Sequence, residues 1–248
     1  MGDLGAVLLV TAAAGIGGTG AGGLIACLLR RDSSRMVSLL LSFAAGVMTA
    51  VVCFDLLAEA GAPEGGRLWL TALGILLGCG ATGALNGRIG RRQETGGGLF
   101  LAGVVMAAAI ALHNVPEGMV IGASFARGAL HPAAARGALL MAVVIGLHNI
   151  PEGMAVAVPL ISGGMGRFRA AAAAAFTGAP TVLGALLGFS LGTLGPASLT
   201  LALSFAAGAM LYVVFGELLP ESSLLWRGSA PALAAVLGII IGMVIVYA

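Results

Sequence analysis

Two histidines and two glutamates recur at fixed spacing inside apolar sequence. His113-Asn114-Val115-Pro116-Glu117-Gly118-Met119 returns 35 residues later as His148-Asn149-Ile150-Pro151-Glu152-Gly153-Met154. On an α-helix His113 and Glu117 are four residues apart and Asn114 lies three before Glu117, so the three share a face; His148, Asn149 and Glu152 repeat the arrangement. A charged side chain at the centre of a membrane helix costs roughly 2.5–3.5 kcal/mol on insertion scales, so such groups normally have a partner and a role. One divalent cation satisfies all of them together. Two carboxylates and a divalent ion sum to zero charge, and two neutral imidazoles complete an N2O2 shell suited to zinc or a similar ion. A single buried His–Glu pair is equally well read as a structural hydrogen bond; two copies at one depth favour the metal. Met48 offers either a soft thioether ligand or plain packing, and the residues leave that choice open. Met119 and Met154, ~240° around the helix from each histidine, read as packing. Pro116 cannot donate a backbone hydrogen bond, which frees the Leu112 carbonyl and predicts an opened or kinked helix there.

The elements that must position these side chains are membrane helices. Hydrophobic residues make up 59% of the 248 and charged residues only 9%, with mean hydropathy +1.08, against roughly 25% charged in a soluble domain. The expected fold is an all-α membrane protein, one polytopic domain over residues 1–248, with eight spans at 4–29, 37–57, 68–85, 99–126, 134–158, 170–194, 197–218 and 230–247. His113 and His148 fall near the middle of the fourth and fifth spans. Arginine sets the orientation, as there is no lysine: Arg30, Arg31, Arg35, Arg88, Arg91, Arg92, Arg167, Arg169 and Arg227 lie in odd-numbered loops, against Arg67, Arg127 and Arg136 in the others. That bias puts the odd loops in the cytoplasm and both termini outside. The first apolar run starts almost at Met1 without a basic leader, so no cleaved signal peptide is expected. The scattered arginines form no patch for nucleic acid. Cys27, Cys53 and Cys79 fall one per apolar segment and read as small filler, His131 reads as a solvated loop residue, and 86–98 is the one connection that looks flexible.

A second repeat spans the chain. Leu41-Ser42-Phe43-Ala44-Ala45-Gly46-Val47-Met48 matches Leu203-Ser204-Phe205-Ala206-Ala207-Gly208-Ala209-Met210, and the same offset of 162 carries Asp55 onto Glu217 and Glu59 onto Glu221. An odd number of spans separates the copies, so the two helices run oppositely through the bilayer. Inverted-topology repeats of this kind characterise transporters whose substrate site lies at the midplane. The expected arrangement is three spans, two central spans, three spans. Asp55 and Glu59 would rim the external mouth and Glu217 and Glu221 the internal one, concentrating cations at each end.

These residues resemble the ZIP (Zrt/Irt-like) metal transporters, in particular their prokaryotic branch. The resemblance rests on the two HNxPEG motifs, the paired SFAAGxM helices and the stretch Glu217-Leu218-Leu219-Pro220-Glu221. It implies uptake of a divalent metal into the cytoplasm across a bacterial plasma membrane, zinc foremost, with iron, manganese or cadmium accepted. It also implies metal ligands at His113, Asn114, Glu117, His148, Asn149 and Glu152, with Met48 matching a methionine ligand of relatives, and no prosthetic group. It implies a homodimer in which spans 1, 4, 5 and 6 slide as an elevator against 2, 3, 7 and 8. Some relatives place a glutamate before the proline of span six to hold a second metal; here that position is Ala179, which predicts one tightly held ion. Two other classes stand beside transport. A membrane metalloenzyme with a His/Glu zinc site lacks the HExxH arrangement that would supply two ligands and a base. A metal sensor or scaffold would bind without flux, and no partner-binding domain supports it.

Overall fold

The computed structural model describes residues 4–28, 34–61, 68–90, 99–130 and 135–247. Among these the regular structure is helical throughout. We label the helices α1 (Leu4–Leu28), α2 (Arg35–Ala60), α3 (Leu68–Gly90), α4 (Leu99–Leu130), α5 (Ala135–Ser162), α6 (Arg167–Thr193), α7 (Pro196–Leu225) and α8 (Ala230–Tyr247). Seven of them, all but α4, are long and apolar enough to cross a membrane, counting the described residues only. The expected fourth span falls within α4, 32 residues long. Several helices outrun the expected spans: α2 continues past residue 57 through Glu59, and α7 past 218 through Glu221 and Ser222. The reason is that a helix keeps its backbone bonds beyond the point where the sequence stops being apolar. The connection at 86–98 is shorter than expected, because α3 is helical to Gly90. Residues 91–98, His131 and the loop arginines Arg30, Arg31 and Arg67 lie outside the described residues.

Backbone irregularities fall elsewhere than the sequence suggests. α4 continues as helix through Pro116 and α5 through Pro151, so neither proline ends its helix. Just beyond each proline the backbone lies against a neighbour, Gly118 against Thr181 of α6 and Gly153 against Thr19 of α1. The discontinuities instead are π-helical segments at Ala13–Gly17, Val52–Leu56 and Val214–Leu218, features that concentrate at functional sites. α6 breaks at Gly178-Ala179 ahead of Pro180, where the Gly178 and Ala179 amides donate to Ala175 and Phe176, three residues back, instead of four.

Two closely packed groups follow from where small residues allow backbones to approach. α1 packs on α5, and α4 on both α5 and α6; α2 packs on α8, and α3 on α7. Helix association in lipid depends on such approach, since lipid tails are as apolar as leucine. A Cβ on Gly22 of α1 would strike the Ile150 carbonyl oxygen of α5, and one on Gly184 of α6 would strike that of Val115 in α4. Gly22 and Gly184 are 162 residues apart, Ile150 and Val115 are 35 apart, and these are the two offsets of the sequence repeats. Likewise Gly46 of α2 abuts Ala235 of α8 and Gly208 of α7 abuts Ile75 of α3. The π segments of α2 and α7 are also 162 residues apart, with Asp55 and Glu217 in the same place in each. At one end α2 and α7 are joined by buried hydroxyls: Ser38 Oγ lies 2.9 Å and Ser42 Oγ 2.6 Å from Ser222 Oγ, which in turn donates to the Ser38 carbonyl.

Candidate metal centre

The face of α4 that carries the first motif turns inward, as does that of α5. Asn114, Glu117, Asn149 and Glu152 are fully buried, and His113 and His148 nearly so. Side chains of both helices meet at His148, whose Nε2 lies 3.1 Å from Glu152 Oε1 on its own helix and 3.4 Å from Glu117 Oε1 on α4. Among the described residues Glu117, His148 and Glu152 form a group whose candidate ligand atoms all lie within 4.8 Å of one another. Two ligands on a tetrahedral zinc at about 2.1 Å are separated by about 3.4 Å, so one ion fits these spacings with little movement. Apart from the longer His148 contact, neither Glu117 oxygen accepts a hydrogen bond from the described residues, nor does Glu152 Oε2. Two carboxylates facing each other with lone pairs unused are what a cation would satisfy.

The remaining expected ligands go elsewhere. His113 Nε2 reaches across to α7 and lies 2.9 Å from Glu217 Oε2. Glu217 thus approaches the first motif from the π segment of its own helix. Asn114 and Asn149 hydrogen-bond each other, Asn149 Nδ2 donating to Asn114 Oδ1 at 3.4 Å. Met48 is buried in the apolar core of α2, 2% exposed. Met119 and Met154 are buried apolar side chains, as packing requires.

Of the four acids expected at the mouths, three have distinct surroundings. Glu59 pairs with Arg127 of α4, Nη1 to Oε2 at 3.0 Å, and Asp55 shares with Arg127 the lining of two small clefts, one among α2, α4 and α7 and one that extends to α5 and α8. Glu221 is partly exposed near the end of α7. Sequence reasoning assigned Arg127 only to a loop and missed its position over the acids of α2. The signal was available: Arg127 lies ten residues beyond Glu117 on one continuous helix, about 15 Å at 1.5 Å per residue. Thr177 and Thr181, whose contacts to Asn114 are described below, were also missed, because neither stands in a motif.

Comparison with known proteins places this chain in a family. A family model described as a ZIP zinc transporter matches residues 84–248. The zinc transporter ZupT of Chlorobium phaeovibrioides is 35% identical over 247 residues, covering 90% of each chain. The zinc transporter GufA of Myxococcus xanthus is 42% identical over 127 residues, 51% of this chain and 48% of its own. The human zinc transporter ZIP11 is 37% identical over 157 residues, 62% of this chain and 45% of its own. The aligned part is thus about half the length of the ZIP11 relatives and nearly the whole of ZupT.

Proposed function

This chain belongs to the ZIP zinc transporter family, and from that premise we propose that it moves a divalent metal ion, zinc first, across a bacterial plasma membrane into the cytoplasm. The observation that carries the reading is the buried group Glu117, His148 and Glu152, drawn from both motifs, with Glu117 Oε2 and Glu152 Oε2 free of hydrogen bonds among the described residues. A charge-neutral complex of two glutamates and one divalent ion is the form in which such a cation can rest inside hydrocarbon. His113 completes the shell by exchanging Glu217 for the ion, and Met48 is the further ligand that the family resemblance implies. Asp55 and Glu59 collect the ion at one mouth and Glu217 and Glu221 receive it at the other.

Eight spans in a 3+2+3 arrangement, over a single domain of residues 1–248, support alternating access. The matched offsets of 162 and 35 residues in helix contacts are what two inverted halves flanking α4 and α5 would produce. In this reading α1, α4, α5 and α6 move as one body against α2, α3, α7 and α8, and two chains form a homodimer. The metal is cargo, and no prosthetic group is required. The enzyme alternative is not favoured, because the relatives are named as transporters.

The test is metal flux in sealed vesicles containing only this protein. Zinc entering faster than into protein-free vesicles is expected, and Glu152→Gln should remove that excess. Binding of zinc with no flux at any orientation would sink the transport reading in favour of a sensor.

A further inference from the structure

The two asparagines of the motifs are related by the internal repeat, yet their hydrogen bonds differ. Asn114 Nδ2 donates to the Ile110 carbonyl at 3.0 Å and to the Thr177 carbonyl at 2.9 Å. Those two acceptors fix the orientation of the carboxamide, since a flipped amide would turn its oxygen onto two carbonyl oxygens. Asn114 Oδ1 then accepts from Thr181 Oγ1 at 3.1 Å and from Asn149 Nδ2 at 3.4 Å. Both lone pairs and both donors of Asn114 are therefore committed to protein. Asn149 is otherwise. Its Nδ2 donates to Asn114 and, at 3.4 Å, to the Ala14 carbonyl in the π segment of α1, while its Oδ1 is buried and has no hydrogen-bond partner among the described residues. Asn149 is fully buried, and it lies three residues before Glu152, on the face of α5 that carries the glutamate.

The cause lies in two threonines. Thr19 and Thr181 are 162 residues apart, so Thr19 stands toward Asn149 as Thr181 stands toward Asn114. A threonine hydroxyl has one proton to give. Thr19 gives it to the Gly15 carbonyl, four residues back on α1, at 2.9 Å. The corresponding carbonyl for Thr181 is that of Thr177, which lies at the break before Pro180 and accepts from Asn114. The Thr181 hydroxyl turns to Asn114 Oδ1 instead.

We infer that Thr181 sets the ligand set of the metal site: with its hydroxyl on Asn114 Oδ1, Asn114 is a positioning residue clamping α4 to the break in α6, and Asn149 alone offers an amide oxygen to the cation. This rests on the metal site proposed at Glu117, His148 and Glu152. It means that the doubled motif does not supply a doubled ligand set, and that this chain would hold a second ion only if Thr181 released Asn114.

The experiment is zinc titration of the purified full chain by calorimetry, together with its melting temperature without metal, for Asn114→Ala, Asn149→Ala, Thr181→Val, Thr181→Ser and Glu152→Gln. Asn149→Ala should weaken zinc binding about tenfold or more, the scale on which loss of a site group tells. Asn114→Ala should lower the melting temperature while zinc affinity stays within about twofold. Thr181→Val should free the Asn114 oxygen and change affinity or stoichiometry, and Thr181→Ser, which keeps the hydroxyl, should restore the wild-type curve. Equal loss of affinity in the two asparagine variants would overturn the inference. So would a Thr181→Val curve superimposable on wild type, a result that decides even where Asn114→Ala does not fold. Unchanged zinc affinity in Glu152→Gln would instead sink the underlying metal site, whichever way the asparagine variants fall.

Discussion

His148 is the side chain on which both motifs converge, and its Nε2 contacts carboxylates from two helices at 3.1 and 3.4 Å. A metal taking the same three groups must meet a neutral imidazole and ionised carboxylates, so it competes with protons for every ligand. Zinc affinity should therefore fall as pH is lowered, and binding should release protons. Calorimetry in buffers of differing ionisation enthalpy measures that release directly; identical heats across buffers would contradict it. His113 belongs to a different contact, 2.9 Å from Glu217. This pairing crosses from α4 to α7, between helices that pack in different groups, and was not legible from the sequence. Spacing on one helix puts His113 beside Glu117, but an acid on a distant helix approaches more closely in the folded chain.

Helix pairs here are set by contacts that admit no side chain. A Cβ on Gly184 would meet the Val115 carbonyl oxygen and the Met119 amide, both backbone atoms of α4 that cannot swing aside. Gly184→Ala is therefore expected to cost about 1–3 kcal/mol, the usual range for overpacking, and a melting curve in detergent should move down accordingly. The substitution Gly17→Ala is the control, since a Cβ there meets nothing within 4 Å. The pair Arg127–Glu59 ties α4 to α2 at 3.0 Å. Both partners reach solvent, so its worth to stability is small, about 0–1 kcal/mol. Its effect on transport should be larger, because the guanidinium occupies the carboxylates that an incoming cation needs. Arg127→Gln is expected to raise uptake at low zinc concentration with little change in melting temperature. Unaltered uptake would show that the arginine does not compete with the ion.

Across the whole molecule the arginine bias and the aromatic residues agree on which ends belong together. Arg35, at the start of α2, lies 5.5 Å from the ring of Trp226 just beyond α7. Phe54, near the other end of α2, lies 6.0 Å from Tyr247. Trp226 and Tyr247 thus lie toward opposite ends of α2, and rings of this kind are enriched at membrane interfaces. The orientation itself is tested by impermeant thiol labelling of intact cells, with Gly2→Cys and Ala248→Cys each placed in a background lacking the native cysteines. Both should label from outside, and labelling only after the cells are opened would reverse the topology.

The all-helical membrane character was determined by composition and run length alone, because 59% hydrophobic residues in long unbroken apolar runs suit a spanning helix and lack the apolar–polar alternation of a barrel strand. Glu117, His148 and Glu152 were equally legible, since their spacing places them on helix faces whatever the neighbours do. The tertiary structure decided the rest. α4 and α5 stay helical through Pro116 and Pro151, and π-helical or broken backbone that no sequence pattern announced lies in α1, α2, α6 and α7. Asn114 and Asn149 look interchangeable in sequence. They differ because Pro180 releases the Thr177 carbonyl to Asn114, while α1, with no proline, leaves the Thr19 hydroxyl bonded to its own helix. Local pattern determines which side chains share a face, and only packing determines which of their hydrogen-bonding atoms remain unused.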